Sequence, residues 1–401
     1  MEQGITQPTG AVAAGAAASD QLVAIAQLRR HLAGVMRIDE HEVLRQPDEA
    51  IVFRGQVHGD TEEAFEQISQ RFADAGYIAQ LRDWSAGGHE VVAIKGAFKH
   101  KTGRVWINVV LFLATVFSVL YIGALNALEP SMIEDPTSPQ VYLLPLIYLY
   151  RGFPFAATLL GILLAHELSH YFVGRLYGSP ISLPYFIPFP NLLFGTMGAV
   201  IVQRKPMRNR KSLLDIGIAG PLGGLVVAIP LLVLGLALSE VGPPPPELEG
   251  AWQEGNSLLY AGIKYLMFGR FLPAGGEDVW LHPVAFAAWA GLFVTMLNLI
   301  PVGQLDGGHV SYALLGRKAW TLGYVVIGAL VAWGGWLLLN GNTAGGLWMT
   351  WGFLNLVLNR RHPPPLDDAT KLDLPRVALG ILLLIVFVLL FMPAPLQEVV
   401  F

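Results

Sequence analysis

Apolar stretches close to 20 residues long recur along most of the chain, and that recurrence limits what it can fold into. They cover residues 105–127, 141–173, 213–238, 284–302, 319–339, 347–358 and 377–392. About 20 apolar residues wound as a helix cross the hydrocarbon of a bilayer, so each stretch is a candidate span. The sixth is short, and the second is long enough to bend near Gly152-Phe153-Pro154. Only 14% of the 401 residues are charged, against 53% hydrophobic. A water-soluble surface takes about a quarter charged residues. The expected class is therefore an α-helical polytopic membrane protein with about seven spans, six or eight being the neighbouring counts.

The residues before the first span read differently. Residues 1–35 are expected to be a flexible tail, Ala- and Gly-rich at the start, with neither a signal-peptide nor a transit-peptide pattern. Residues 36–98 read as a small α+β soluble domain. In EAIVFRGQV, Ile51, Phe53 and Val57 alternate as in a strand. Asp60 then offers an N-cap to a helix striped by Ala64, Phe65, Ile68 and Phe72, which Gly76 closes. Residues 77–82 and 90–95 follow as two strands joined through Gly87-Gly88.

Loop charge sets the orientation. With the N-terminal domain in the cytosol, the inner loops carry Lys99, Lys101, Arg104, Arg175, Arg204, Lys205, Arg208, Arg210, Lys211, Arg317, Lys318, Arg360, Arg361, Lys371 and Arg376. The outer segments carry only Arg151, Lys264 and Arg270. This is a positive-inside bias. Glu129, Glu134, Asp135 and the Pro-rich stretch 243–250 then fall on the far side. The net charge of −4 gives no reason to expect a nucleic-acid partner, and with no Cys any metal must sit on His, Asp or Glu.

One such set stands out. The second span ends in LLAHELSHYF, where His166 and His170 are four apart and project from one helix face. Two neutral imidazoles so placed can grip one zinc ion, and Glu167 stands beside them to take a proton from water. The bland alternative is a group of stray polar residues facing a vestibule. Ionisable groups in a span cost several kcal/mol unless they are paired or ligated, and three within five positions call for a compensating partner. A catalytic zinc also needs a third protein ligand and an open position. Asp306, in NLIPVGQLDGGH at the inner end of the fourth span, is the candidate; otherwise it is a turn residue among Gly303, Gly307 and Gly308. The charge bias places both motifs at the same membrane face.

HELSH followed two spans later by NLIPVGQLDGGH resembles the site-2 protease family of intramembrane zinc metalloproteases. The resemblance implies one zinc ion held by His166, His170 and Asp306, with Glu167 as catalytic base. It implies that Asn298 contacts substrate or the developing oxyanion, the other reading being an interhelical hydrogen bond. The intervening LPYFIPFPNLLFGTMGAVIVQRK is too rich in Pro and Gly for a helix. It resembles the family's re-entrant β-like segment, whose G-x-x-G turn, here Gly195 and Gly198, helps an unwound substrate add as a strand. Asp215, in NRKSLLDIGIAGPLGG, reads as a helix-start charge. The order of residues 49–96 is similar to the domain preceding the core in the chloroplast-type proteases named for ethylene-dependent gravitropism deficiency and yellow-green colour, and in their prokaryotic relatives. Where those carry G-N-L-R, this chain has Gly55-Gln56-Val57-His58.

The implied activity is hydrolysis of peptide bonds in or near a transmembrane helix of another protein. The expected organisation is a tail (1–35), a cytosolic domain (36–98) and a transmembrane protease domain (105–392) whose metal core uses spans 141–173, 213–238 and 284–302. The expected location is a prokaryotic plasma membrane, a chloroplast membrane being the alternative. Prenyl-type membrane proteases also carry H-E-x-x-H but use a Glu on a later helix, and the later spans here contain no Glu. A metal transporter or silent scaffold is the rival of another class; a transporter would spread polar groups over several spans with internal repeats, which the sequence lacks. His309 stays outside the ligand set, and His282 reads as structural. Substrate identity and oligomeric state are open at this level.

Overall fold

The computed structural model describes residues 9–44, 50–98, 103–129, 132–133, 138–190, 193–243, 252–358 and 361–398, with backbone alone at 9–20, 252 and 398. Residues 1–8, Glu49, Lys99, Lys101, Glu134, Asp135, Arg360 and 244–250, which entered the reading above, lie outside the described residues. The chain divides into two compact units, one of residues 1–100 with 364–371 and one of 101–363 with 372–401.

The first unit contains α1 (Thr9–Leu32), β1 (Met36–Leu44), β2 (Ala50–Val57), α2 (Thr61–Asp74), β3 (Tyr77–Asp83) and β4 (His89–Lys95). The strands form one antiparallel sheet in the order β1-β2-β4-β3. Alternation along β2 sends Ile51 and Phe53 to one face and Ala50 and Val52 to the other. The first face meets Phe65, Ile68 and Phe72 of α2, whose N-terminus Asp60 caps by accepting from the Glu62 and Glu63 amides. Two features correct the sequence reading. Residues 9–32 are a helix rather than a flexible tail, because Ala is the best helix former and Ile25, Leu28 and Leu32 share one face, the two Leu fully buried. Residues 364–371 also belong to this unit: Leu81 donates to the Leu366 carbonyl at 2.8 Å and accepts from the Asp368 amide at 2.8 Å.

The second unit contains α3 (Val105–Asn126), α4 (Leu144–Ile147), α5 (Phe153–Leu176), β5 (Tyr185–Pro188), β6 (Thr196–Val200) and α6 (Arg210–Ala237). It continues with β7 (Glu240–Gly242), β8 (Trp252–Glu254), α7 (Leu258–Phe268), β9 (Asp278–Trp280), α8 (Pro283–Asn298) and α9 (Asp306–Leu315). It ends with α10 (Lys318–Leu339), α11 (Gly345–Leu358), α12 (Leu374–Leu390) and β10 (Leu396–Glu398). Among the described residues four helical segments are long and apolar enough to cross a membrane: α3, Leu149–Leu176 including α5, α6, and α10. The other three expected spans, α8, α11 and α12, are shorter apolar helices, as is α7, which sequence placed in an outer connection. α8 is short for a clear reason. It is sheathed by protein along most of its length, with Ala285, Ala288, Trp289 and Leu292 fully buried, and the NLIPVG turn ends it.

The core of this unit is formed where α5, α6 and α8 pack side by side. The Pro- and Gly-rich stretch after α5 folds as the β5–β6 hairpin, with Tyr185 opposite Val200 and Phe186 opposite Ala199. In the first unit, Phe72→Ala should cost about 3–5 kcal/mol, because its ring is fully buried between helix and sheet. Hydrogen exchange of the β2 and β4 amides in the full chain checks this: protection should fall there and be unchanged in α5 and α6.

Candidate metal centre

The apolar run of α5 carries His166, Glu167 and His170 into the protein core, where all three are buried. Helical spacing stacks the two imidazoles one turn apart, with their Nε2 atoms 3.2 Å from each other. The Nδ1–H of His170 donates to the Ile216 carbonyl on α6 at 2.7 Å. A carbonyl can only accept, so this bond fixes the tautomer and leaves the Nε2 lone pair of the neutral ring facing inward.

α6 can supply that carbonyl because it presents glycine where the rings lie. A Cβ on Gly220 would overlap the His170 imidazole, and one on Gly224 would stand 3.3 Å from His166 Nδ1. The third group comes from the turn after α8. The chain leaves α8 at Asn298, turns through Gly303 at φ 53°, and re-enters a helix at Asp306. Asp306 Oδ2 lies 3.1 Å from His166 Nε2, and Oδ1 lies 3.2 Å from His170 Nε2.

Three lone-pair donors thus converge in a buried place, an arrangement that calls for a cation. The donor set, two imidazoles and one carboxylate, is one that zinc accepts, and a tetrahedron with bonds of about 2.0–2.1 Å has edges of about 3.3–3.4 Å. The observed separations of 3.1–3.2 Å are close to that edge. His166, His170 and Asp306 therefore fit one small divalent metal.

A cavity of about 420 Å³ opens onto this group. Glu167, Asn298 and residues 199–203, which begin within β6, are among its lining. Asn298 makes no hydrogen bond among the described residues, so its amide is available to the cavity. Gly195 and Gly198 are not brought to it. Gly195, at φ 74°, packs against α3, where its carbonyl accepts from Ser118 Oγ at 2.6 Å. Gly198, at φ 92°, kinks β6 just before the residues that do line the cavity. Asp215 is held away from the metal group by Arg376, 2.8 Å from Nη2, and by the Tyr177 hydroxyl. His282 caps α8, its ring accepting from the Val284 amide.

Sequence reasoning missed the carbonyl of Ile216, the glycine face of α6 and the partner of His309. The small-residue spacing in GIAGPLGG was the available signal for the glycine face. His309 lines the cavity and its Nδ1 lies 2.7 Å from Nε2 of His362, a contact across 53 positions that no local pattern announces.

Comparisons with known proteins bear on the same residues. Residues 154–331 match the profile of peptidase family M50. The chain is 28% identical over 379 residues to the Arabidopsis thaliana protein described as probable zinc metalloprotease EGY1, chloroplastic, covering 86% of this chain and 66% of that protein. It is also 28% identical over 357 residues to the probable zinc metalloprotease EGY2, chloroplastic, of the same plant, covering 86% and 60%. The rice (Oryza sativa subsp. indica) probable zinc metalloprotease EGY3, chloroplastic, matches at 25% over 309 residues, covering 72% and 48%. The chain thus spans about two thirds of the length of the first relative and less of the other two.

Two predictions follow from this geometry. Gly220→Ala should push the His170 ring aside and weaken metal retention at least about 10-fold, measured by metal content after dialysis against a competing chelator. Burial pushes His309 down to about 4 and His362 down to about 3, against about 6.5 in an unfolded chain. The unfolded state therefore binds more protons below about pH 6.5, and the stability of the pair is lost as pH falls toward 4. The melting temperature of the second unit should drop between pH 7.5 and 5, and His362→Gln should make that drop smaller.

Proposed function

We propose that the chain is an intramembrane zinc metalloprotease, a reading supported by the match of residues 154–331 to the profile of peptidase family M50. It would hydrolyse peptide bonds within or near transmembrane helices of other proteins. The observation that carries this reading is the convergence of His166, His170 and Asp306 beside Glu167 on one buried cavity. The curated relatives named above as probable zinc metalloproteases support it.

His166, His170 and Asp306 would hold one zinc ion, which when bound supplies a Lewis acid that polarises the scissile carbonyl and acidifies water. Glu167 takes the proton of the attacking water and delivers it to the leaving amine. Asn298 donates from its amide to the substrate carbonyl as negative charge grows on the oxygen. The Ile216 carbonyl holds His170 in its metal-binding tautomer throughout. A substrate helix hides its peptide bonds, so it must unwind locally. The extended segment 199–203 offers main-chain groups to which the unwound stretch adds as a strand, and Gly195 and Gly198 shape the hairpin that presents it.

The proposed topology is seven spans, with α8, α11 and α12 completing the four longer helices. Charge asymmetry supports a cytosolic position for the domain of residues 36–98 and for the inner end of the metal core, within a protease domain of residues 105–363 and 372–392. A prokaryotic plasma membrane is the proposed location; the chloroplast names of the relatives favour the alternative, a chloroplast membrane. The proposed partners are the bilayer and a transmembrane protein substrate.

Glu167→Gln in purified, zinc-loaded protein should lower cleavage of a labelled transmembrane substrate by at least about 100-fold while leaving zinc content unchanged. Undiminished turnover would refute the role of Glu167, and loss of the metal would make it a ligand instead.

A further inference from the structure

A second cavity, of about 330 Å³, lies between the start of α3, the end of α5 and β5. Its lining includes Gly103, Asn108, Tyr171, Arg175, Tyr185 and Arg204. Neither guanidinium pairs with a carboxylate among the described residues. Arg175 lies over the Tyr171 ring, 6.0 Å from its centroid. Arg204 rests its Nη2 on the bare backbone of Gly103, where a Cβ would overlap it, and the Tyr185 hydroxyl comes within 3.5 Å of the same point. Asn108 fixes the floor by donating to the Leu183 and Pro184 carbonyls, 2.9 Å each. Among the described residues no side chain caps the first turn of α3, whose positive end lies beside Gly103 and Val105.

Two uncompensated cations, a tyrosine hydroxyl and helix amides call for an anion with several acceptor oxygens. The surroundings say which kind. Trp106, Phe172 and Leu176, each next in sequence to a lining residue, are 60% exposed or more. Such side chains offer nothing to a free anion, and Trp at a helix start is typical of the membrane interface. We infer that this cavity binds the phosphate headgroup of an anionic phospholipid, with the acyl chains along the apolar faces of α3 and α5. Arg204 directly follows residues 199–203, which wall the metal cavity, so an occupied site holds that wall in place. The inference rests on α3 and α5 crossing a bilayer and is independent of peptide hydrolysis.

Native mass spectrometry of the full chain, titrated in micelles with phosphatidylglycerol, phosphatidylcholine or inorganic phosphate, tests it. Phosphatidylglycerol should bind, phosphatidylcholine should bind much more weakly, and inorganic phosphate at equal concentration should not displace the lipid. The double variant Arg175→Gln/Arg204→Gln should weaken phosphatidylglycerol binding roughly 30-fold, and the double Lys variant should recover most of it. If the double Gln variant loses its zinc, and with it evidence of folding, Arg175→Gln alone carries the test, with a loss of roughly 5-fold. Equal binding in wild type and Gln variants, or equal binding of phosphatidylcholine, overturns the site. Displacement by inorganic phosphate at comparable concentration overturns the lipid and leaves a free-anion site. None of these readouts moves if Glu167→Gln proves to be active, so the two proposals fail separately.

Discussion

Two helices can close on a pair of imidazoles only where one of them carries no side chain, and the second unit depends on that contact. α6 meets α5 across Gly220 and Gly224, which leave room for the rings of His170 and His166. The same approach brings the Ile216 carbonyl to 2.7 Å from His170 Nδ1. With His170 so oriented, its Nε2 and that of His166 point at one place, and the turn after α8 needs only to deliver a carboxylate there. A larger residue at 220 would disturb the ligand, its orienting bond and the helix packing together.

Burial makes the arrangement demanding. Two imidazoles and two carboxylates in a region of low dielectric are costly unless a cation shares their lone pairs. That cost concentrates polar groups at one site, while α8 and the surrounding helices stay apolar. It also separates roles. Asp215 is paired with Arg376 and accepts from the Tyr177 hydroxyl, whereas among the described residues no such partner holds Glu167 or Asn298 where they reach the cavity.

What was legible in the sequence was local. HELSH and LDGG announce themselves because each sits within a few residues, and β2, α2, β3 and β4 follow from alternation and an apolar stripe. What escaped depended on distance or on ambiguous composition. The Ala-rich start of α1 reads equally as a flexible tail. β1 exposes most of its residues, as an edge strand does, so its pattern is faint. Residues 364–371 begin in a proline run that resembles a connection, yet they pair with Leu81 of β3. His362 meets His309 only in the folded chain. Of the seven expected spans, α8 is shorter than the length rule asks for a physical reason: it is enclosed by protein, so the rule for lipid-facing helices does not apply to it.

The central claim is that His166, His170 and Asp306 together hold one zinc ion. X-ray absorption at the zinc edge of the purified, zinc-loaded chain addresses it directly. The account predicts one zinc per chain with two imidazole nitrogens and otherwise oxygen donors, all at about 2.0–2.2 Å. A shell with three or more imidazoles would bring His309 into the ligand set and contradict it, as would a loaded protein that holds no stoichiometric zinc.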